Sequence, residues 1–475
     1  MLERLSKFDE ELTYPNKARL SDPHELYYYP GRIFRVGKAR FYGLKDFWGG
    51  TAEQESSLET VQGNAEELYS TLTRIGLKRP DNQPIRKLTG AISVFEDSEW
   101  GKRIYEILPK DWDIPEEALE LLEYASRADG REWVSNHQIG GWQENEIWDY
   151  DIRSCYPSVA CTLPDMRGMT YWKSSRLGDK ELNAQFGIVY GALHLDPASE
   201  YAHCSPIVAD IEELQQQGNP LGHLPPDYFT IDDIRFVINN SLGTFKISSG
   251  WFVSGEVTGY PYRPIMEQLY QMREEAPTEL WSQCLKEIAN ALIGKMRETR
   301  ITGGLGKIRN DLYHATVLSR ARIKVAQFLI DNKVQPEELL AIQTDGVKLT
   351  RDIRLPDNGM GTWINKGTSP TMIAGPYNIL SRNTRPHRMT YADLEKMVKE
   401  HPGQQQYGLK VKHRITMVQA IRNYNDLSRT GEVIDLPTSI DLVTLNEQQN
   451  RHYTRLPRTG RQLLNNQYSS SPIVL

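Results

Sequence analysis

The sequence predicts an α+β fold that contains antiparallel strands and amphipathic helices. Trp148–Ile152 alternates large apolar residues with two aspartates, and this period of two is typical of a half-buried strand. Thr278–Met296 places apolar residues at helical spacing behind a threonine cap. Leu339–Leu349 is typical of an antiparallel hairpin that turns at Asp345-Gly346.

The size and composition are those of a globular protein. The 475 residues predict roughly two to four domains. Hydrophobic residues make up 39% and charged residues 25%, and no apolar run reaches the roughly 18 residues that span a bilayer. Met1–Glu10 is charged and has no apolar signal-peptide core, so we expect a cytoplasmic protein. The cysteines lack metal-ligand spacing and are expected to be free thiols: Cys155, Cys161, Cys204 and Cys284.

Charge is distributed unevenly along the chain. The net charge is −6, but the segment from Pro376 to the end has 14 Lys and Arg against 8 Asp and Glu, or +6, which leaves −12 for the rest. An acidic part that gathers metal ions and a basic part that binds phosphates suit an enzyme acting on nucleic acid. Chance asymmetry explains the same numbers equally well, so charge alone does not decide the function.

The strand at Trp148–Ile152 leads into a more specific pattern. Asp149 and Asp151 share one strand face, and Pro157 with Ser158 ends the strand. The order Asp-x-x-Ser-x-Tyr-Pro, which begins at Asp151, resembles motif A of the family B DNA polymerases. Without other motifs, the same stretch would be an ordinary strand with two solvated aspartates.

The helix predicted before residue 297 carries a second pattern. Lys286, Asn290 and Gly294 recur at intervals of four, which places them along one helix face. The sequence K-E-I-A-N-A-L-I-G resembles polymerase motif B, K-x-x-x-N-S-x-Y-G, and departs from it at Ala291 and Ile293. The missing tyrosine removes an aromatic surface that normally packs near the incoming base. Standing alone, the lysine would be an ordinary solvated residue.

The predicted hairpin supplies a third pattern, after a helix at Thr316–Asp331 that contains three basic residues. Thr344-Asp345-Gly346 resembles motif C, whose usual form is D-T-D-S. Asp345 matches the second aspartate, and Gln343 replaces the first. An isolated T-D-G is typical of an ordinary turn. The match to motif C therefore depends on the position of this tripeptide after the other two motifs. The lost charge is expected to weaken metal binding or to alter the rate.

The three motifs occur in the polymerase order with compatible gaps, and their conjunction is more specific than any one of them. The chain resembles the protein-primed family B DNA polymerases of phages, adenoviruses and linear plasmids over roughly 137–425. This resemblance implies a right-hand polymerase fold of palm, fingers and thumb. The implied domains are a truncated exonuclease-like domain (1–136), a first palm part with an insertion (137–260), fingers and palm helix (261–335), a second palm part (336–380), and a thumb with a basic tail (381–475).

Two-metal phosphoryl transfer is the chemistry that the resemblance implies. Asp151 and Asp345 match the catalytic positions that hold two Mg²⁺ or Mn²⁺ ions, and the backbone carbonyl of Ile152 would complete a metal shell. Tyr156 would stack beneath the sugar and exclude a 2′-hydroxyl. The other expected nucleotide-binding residues are Arg273, Lys286, Asn290 and Gly294.

Other stretches are expected to contact DNA. The Gly140-Gly141 pair resembles the Y-x-G-G element between exonuclease and polymerase domains, although the tyrosine is missing and a simple Gly-Gly turn explains the pair equally well. Tyr377 stands where relatives carry K-x-Y, with Gly375 in place of the lysine. Basic C-terminal residues are expected to contact the duplex backbone without reading bases: Lys410, Lys412 and Arg414.

Proofreading is not expected, because an exonuclease domain needs a D-x-E pair on an early strand. The D-x-E at Asp9–Glu11 lies in a charged stretch without a strand pattern, and Tyr42–Asp46 has only the spacing of a late exonuclease motif. The expected partners are primer-template DNA and deoxynucleoside triphosphates, without a membrane. A terminal priming protein and a separate exonuclease or replication partner are further candidates.

A second hypothesis rests on the departures at Gln343, Ile293 and Gly375. They suit a catalytically degenerate polymerase fold, kept for nucleic-acid binding or as a component of a larger replication or virion assembly. A primer-extension assay separates this hypothesis from an active polymerase. A nuclease built on the same carboxylates is a third hypothesis, and the S-x-Y-P and K-x-x-x-N elements argue against it because hydrolysis needs neither a sugar gate nor a triphosphate contact.

Overall fold

A computed structural model describes most of the chain between residues 99 and 381 and shorter parts of both ends. The described residues are 17–19, 25–29, 33–36, 39–42, 99–142, 146–211, 216–277, 279–299, 305–355, 359–375, 378–381, 396, 400, 406–414, 432–441, 451–455, 468–472 and 474. The chain forms two compact units. The first unit is Met1–Glu106, Met272–Ile288 and Gly408–Ile440, and the second is Ile107–Gln271, Ala289–Tyr407 and Asp441–Leu475.

Helices and strands alternate irregularly along the described chain. The helices are α1 (Glu99–Ile107), α2 (Glu120–Ala128), α3 (Cys155–Ala160), α4 (Asp179–Leu182), α5 (Ile231–Asn239), α6 (Arg263–Glu274), α7 (Glu279–Lys295) and α8 (Asp311–Asp331). The strands are β1 (Lys17–Arg19), β2 (Glu25–Tyr29), β3 (Ile33–Val36), β4 (Ala39–Tyr42), β5 (Val134–Asn136), β6 (Gln138–Trp142), β7 (Trp148–Ile152), β8 (Thr170–Ser174), β9 (Phe186–Leu195), β10 (Ala209–Ile211), β11 (Gln216–Gly218), β12 (Gly222–His223), β13 (Asp227–Thr230), β14 (Gly243–Ser254), β15 (Leu339–Gln343), β16 (Gly346–Leu349), β17 (Trp363–Thr368), β18 (Thr371–Gly375), β19 (Asn378–Ser381), β20 (Gln406–Arg414), β21 (Val433–Asp441), β22 (Arg451–Arg455) and β23 (Tyr468–Pro472).

The first unit contains a four-stranded sheet in the order β1-β2-β3-β4, whose pairings are antiparallel. Strands β20 and β21 form a separate two-stranded sheet. The stretch at Asp9–Glu11 lies outside the described residues, and of Tyr42–Asp46 only the backbone of Tyr42, at the end of β4, is described. The expectation of a vestigial exonuclease therefore stays a prediction.

The central sheet of the second unit has the strand order β17-β7-β16-β15-β5, and its described pairings are antiparallel. Tyr150 and Ile152 of β7 and Val347 of β16 are buried on one face. Helix α8 packs against that face, where the ring of Phe328 lies 6.0 Å from the ring of Tyr150. Because side chains alternate along a strand, this packing leaves Asp149 and Asp151 on the opposite face.

The second unit also contains two further five-stranded sheets. Strands β12-β9-β14-β8 form one sheet, with β13 added to β9, and its inner side chains share a core with the central sheet. Strands β19-β18-β6-β23-β22 form the other. A short hairpin joins β10 to β11. The antiparallel sheets and separate helices make this an α+β fold, which confirms the predicted class.

Helix α8 begins earlier than the sequence pattern predicts. It starts at Asp311 instead of Thr316, because the side chain of Asn310 caps it by accepting a hydrogen bond from the N–H of Tyr313 (2.9 Å). The predicted helix at Thr278–Met296 agrees with α7 to within one residue at each end. No helix among the described residues is long and apolar enough to cross a membrane. All four cysteines are buried free thiols, as predicted.

A buried carboxylate pair joins the start of α8 to the short helical turn at Asp111–Asp113. The N–H of Asp311 donates to Oδ1 of Asp111 (2.9 Å), and Arg309 contacts both carboxylates, at 3.3 Å from Asp111 and 2.7 Å from Asp311. Burial raises the pKa of Asp111 from 3.8 to about 6, and the negative charge of Asp311 adds to the rise. The single positive charge of Arg309 therefore does not fully neutralise the two carboxylates.

This pair predicts a pH-dependent stability. The folded chain holds the Asp111 proton more tightly than the unfolded chain, so its contribution to stability is complete below pH 3.8 and is lost as the pH rises through about 6. Asp111→Asn keeps the acceptor but stays neutral. We expect it to raise the free energy of unfolding by up to about 3 kcal/mol at pH 7 and by little at pH 4. Urea unfolding of both proteins from pH 4 to pH 7 measures the difference. A variant less stable than the wild type at pH 7 would contradict this account.

Candidate active site

Strand β7 is fixed in place by its buried tyrosine. The hydroxyl of Tyr150 donates to Oδ1 of Asp352 (2.8 Å) and accepts a hydrogen bond from the N–H of Ile353 (2.6 Å). With Tyr150 and Ile152 anchored in the core, Asp151 must project from the other face of the sheet. The alternation that predicted the strand therefore also determines where this carboxylate lies.

The hairpin of β15 and β16 brings a second acid to the same place. Gly346 lies opposite Asp151 in the ladder, and the N–H of Ile152 donates to the carbonyl oxygen of Asp345 (3.0 Å). A Cβ added to Gly346 would lie 3.3 Å from Oδ1 of Asp151, so the glycine leaves room for that carboxylate. The structure thus brings together two acids that the sequence separates by 194 residues.

The hairpin turn lies one residue earlier than predicted. Gln343 pairs with Gly346, so the turn consists of Thr344 and Asp345, and the predicted turn at Asp345-Gly346 is wrong. Thr344 has a φ of 53°, a left-handed conformation that a β-branched residue rarely adopts. Its N–H donates to the carbonyl oxygen of Trp133 (2.8 Å), and its hydroxyl donates to Oδ1 of Asp345 (3.0 Å). The strained residue therefore holds the carboxylate in position.

The electrostatics of the site reflect the proximity of the two acids. Burial raises the pKa of Asp345 to about 6, and the negative charge of Asp151 adds to the rise. The Thr344 hydroxyl opposes the rise because its hydrogen bond favours the charged carboxylate. Two carboxylates that repel each other in a partly buried site gain from a cation that contacts both.

A lysine that the sequence reasoning missed lies beside this pair. The ammonium group of Lys366, on β17, forms an ion pair with Oδ2 of Asp151. Burial lowers the pKa of Lys366, but Asp151 and the further acids Asp149 and Asp345 raise it by more. No motif indicates this residue, and the sequence shows only a lysine followed by a glycine.

The neighbouring acid on β7 is already neutralised. Asp149 pairs with Lys348, which lies directly opposite in the ladder, at 2.7 Å. The Lys348 side chain is 7% exposed and that of Asp149 is 20% exposed, so this pair is largely closed to solvent. Of the two aspartates that share the strand face, Asp151 is the one that lies next to Asp345.

Tyr156 is held close to the carboxylate pair. Helix α3 begins after Ser154, which adopts a left-handed conformation with a φ of 50°. Burial raises the pKa of Tyr156, and the charge of Asp345 adds to the rise, while a side-chain hydrogen bond with Thr344 lowers it. The tyrosine is therefore fixed beside the hairpin turn that carries Asp345. Its expected role beneath the sugar stays a prediction.

Helix α7 presents three of the predicted residues on one face. Lys286, Asn290 and Gly294 are exposed, whereas the large apolar residues between them are buried. A Cβ added to Gly294 would meet no atom within 4 Å, so packing within the chain does not require glycine there. Nε of Arg273, at the end of α6, donates to Oγ of Ser282 in α7 (3.4 Å). The arginine is thereby tied to the helix that carries Lys286.

The predicted DNA contacts are described only in part. Gly140 and Gly141 are buried in β6, where they pair with Ile373 and Met372 of β18, so they form a strand and not a turn. Tyr377 lies outside the described residues. Strand β20 carries Lys410, Lys412 and Arg414, but only its backbone is described. The DNA-binding roles of all these residues stay predictions.

The donor chemistry of the carboxylate pair fits a divalent cation. In the described part of the chain, no group of three or more His, Cys, Asp or Glu side chains could hold an ion. Mg²⁺, however, commonly binds one or two carboxylates together with substrate phosphates. Asp151, Asp345 and the Ile152 carbonyl would therefore supply some of the ligands, and phosphate oxygens would supply others.

Comparison with known proteins identifies the fold. The structure is similar to phi29 DNA polymerase complexed with primer-template DNA and incoming nucleotide substrates, with a TM-score of 0.56, 12% identity, and coverage of 88% of this chain and 82% of that chain. For the orthorhombic crystal form of phi29 DNA polymerase the TM-score is 0.51 at 13% identity, with 83% and 73% covered. For its post-translocation binary complex with primer-template DNA the TM-score is 0.50 at 14% identity, with 93% and 78% covered.

At such low identity the likeness shows the fold alone. The α+β arrangement of antiparallel sheets and helices is similar to that of phi29 DNA polymerase, which agrees with the fold that the sequence motifs predicted. In sequence comparisons, no protein-family profile and no curated protein matches the chain.

Proposed function

We propose that this chain is a template-directed DNA polymerase that adds deoxynucleotides to a primer 3′-hydroxyl. The adjacency of Asp151 and Asp345 carries the proposal, because two-metal phosphoryl transfer needs carboxylates that share cations. The fold shared with phi29 DNA polymerase supports it. Structures of that polymerase contain primer-template DNA and incoming nucleotides, and we propose the same classes of ligand for this chain.

In the proposed mechanism, Asp151 and Asp345 would hold divalent cations. Bound Mg²⁺ or Mn²⁺ would lower the pKa of the primer 3′-hydroxyl and neutralise charge on the triphosphate. Lys286 and Arg273 supply fixed positive charge for the phosphates. Tyr156 excludes a 2′-hydroxyl by occupying the space beneath the sugar, and its contact with the hairpin turn supports this role.

We also propose the finer features of the protein-primed branch of family B. These are the palm at 137–260 and 336–380, the fingers and palm helix at 261–335, the thumb at 381–475, and an N-terminal domain at 1–136 without proofreading. The proposed DNA contacts are Gly140, Gly141, Tyr377, Lys410, Lys412 and Arg414. A terminal priming protein and a separate exonuclease are proposed partners, and the cytoplasm of a host cell is the proposed location.

Two observations favour a second candidate function, that of a catalytically degenerate polymerase fold that binds nucleic acid within a larger assembly. Gln343 replaces an acid of the usual motif C, and Lys366 already neutralises Asp151. Together they leave the site with less negative charge than a site built from three acids. In this alternative the fold would bind DNA without chemistry.

Primer extension separates the two functions. The purified chain is incubated with a 5′-labelled primer on a longer template, all four deoxynucleoside triphosphates, and either Mg²⁺ or Mn²⁺, and products are resolved by electrophoresis. We expect template-dependent extension with at least one of the two metals. A primer with an unpaired 3′ end, given without nucleotides, is expected to stay intact. DNA binding by gel shift without extension would favour the degenerate polymerase instead.

A further inference from the structure

Lys366 owes its position to an irregularity in β17. Asn365 pairs with Tyr150 of β7, but the next pair is Thr368 with Trp148, so the edge strand contains one extra residue. Gly367 provides the bulge with a φ of 91°, and its N–H donates to Oδ1 of Asn365 (2.7 Å). Bulges commonly re-aim a side chain beside an active site. Here the bulge contains Lys366, whose ammonium group reaches Asp151.

The two lysine–aspartate pairs on this sheet face differ in accessibility. The side chain of Lys348, which pairs with Asp149, is 7% exposed, whereas that of Lys366 is 42% exposed. The first pair is closed within the sheet and has a structural role. Lys366 has a flexible stem that reaches solvent, so its ammonium group can leave Asp151 without unfolding the sheet.

The charge balance of the site indicates how the Lys366–Asp151 pair affects metal binding. Asp151 and Asp345 contribute two negative charges and Lys366 one positive charge, while Gln343 is neutral. A divalent cation at the two carboxylates would therefore turn a net charge of −1 into +1 and would face the ammonium group at short range. A triphosphate reverses this imbalance because it brings several negative charges.

We propose that Lys366 is an internal counter-cation that competes with divalent metal ions for Asp151, so that tight metal binding requires an incoming triphosphate. The identity of the triphosphate in this inference rests on the proposed polymerase function. The competition between Lys366 and metal ions does not depend on that function. In the free protein Lys366 neutralises Asp151. When nucleotide enters, phosphate oxygens attract the ammonium group away from the carboxylate, and the metal replaces it.

Binding of Mn²⁺ to the nucleotide-free protein tests the competition. Electron paramagnetic resonance measures the unbound Mn²⁺ while wild type, Lys366→Met, Lys366→Arg and Lys246→Met are each titrated. We expect Lys366→Met to bind Mn²⁺ at least about tenfold more tightly than the wild type, because a positive charge beside the ion is removed. Lys366→Arg keeps the charge and is expected to bind as the wild type does. Lys246→Met, which removes an exposed lysine of β14, controls for net charge.

Asp151→Asn identifies the site that is measured. Introduced into Lys366→Met, it is expected to abolish the gain in Mn²⁺ affinity. Equal affinities of wild type and Lys366→Met would overturn the inference, and so would an equal gain in Lys246→Met. Thermal unfolding without metal checks that each variant is folded, and Lys366→Gln replaces the methionine variant if that one is not.

A second titration, with nucleotide present, tests whether an incoming triphosphate is needed for tight metal binding. A non-hydrolysable deoxynucleoside triphosphate is expected to tighten Mn²⁺ binding more in the wild type than in Lys366→Met, after correction for Mn²⁺ bound to free nucleotide. An equal gain in both proteins would overturn the coupling. A tighter Mn²⁺ site in Lys366→Met, combined with no primer extension by the wild type, would uphold the competition and refute the polymerase function. The experiments therefore distinguish a failure of the proposed competition from a failure of the proposed polymerase function.

Discussion

Replacement of Asp345 by asparagine is expected to reduce primer extension by on the order of 10³-fold or more. Asparagine keeps the size of the side chain but removes the negative charge from the hairpin turn. Asp151→Asn is expected to cause a similar loss, because it removes the other carboxylate of the adjacent pair. Single-turnover extension of a labelled primer at saturating deoxynucleotide and metal measures both effects, and a gel shift on the same DNA shows whether binding is kept.

Asp149→Asn is the matched control for these substitutions. Asp149 lies on the same strand face, two residues from Asp151, but its carboxylate is paired with Lys348 (2.7 Å). We expect the folded variant to extend primers within about tenfold of the wild type, since the substitution breaks a structural ion pair and leaves the two adjacent carboxylates in place. Wild-type activity in Asp345→Asn, or an equal loss in Asp149→Asn, would show that the site is assigned to the wrong residues.

The largest expected effect on stability concerns a buried ion pair behind the central sheet. Nη2 of Arg322, in α8, donates to both carboxylate oxygens of Asp233, in α5, at 3.0 and 3.1 Å. Both side chains are about 5% exposed or less, and the hydroxyl of Ser319 also donates to Asp233 (2.8 Å). Removal of one partner leaves a buried charge uncompensated. We expect Asp233→Asn and Arg322→Met each to cost about 3–5 kcal/mol in the free energy of unfolding.

Urea unfolding followed by tryptophan fluorescence measures this loss. The double variant is expected to be more stable than the sum of the single losses predicts, because neither charge is then left alone. Glu123→Ala breaks an exposed pair with Arg127 on α2 and is expected to change stability by less than about 0.5 kcal/mol. Losses below 1 kcal/mol in both single variants would mean that the Arg322–Asp233 pair does not hold α8 against α5.

The sequence was sufficient to predict the elements that carry local periodicity. Alternation in Trp148–Ile152 gave the correct strand face for Asp151, and the apolar spacing in α7 left Lys286, Asn290 and Gly294 exposed together. The order of the motifs then predicted the polymerase fold that the comparison shows. The strand face and the helix face depend on neighbours within roughly ten residues, which a single sequence displays directly.

Features that depend on distant partners could not be predicted in this way. The turn shifted to Thr344-Asp345 because Thr344 is held by the carbonyl oxygen of Trp133, which lies 211 residues earlier. In the sequence, Arg322 is one of three basic residues of the helix predicted at Thr316–Asp331, and the structure shows that it is buried against Asp233. Lys366 reaches Asp151 across a strand pairing and a bulge. In each case a tertiary contact determines the role of the residue, and the local sequence does not indicate that contact.

The most direct measurement is the anomalous diffraction of Mn²⁺ in crystals of the protein with primer-template DNA and a non-hydrolysable deoxynucleoside triphosphate. We expect an anomalous peak within ligand distance of both Asp151 and Asp345, with the Lys366 ammonium group moved away from Asp151. Nucleotide bound elsewhere, or Mn²⁺ bound without contact to these two carboxylates, would contradict it.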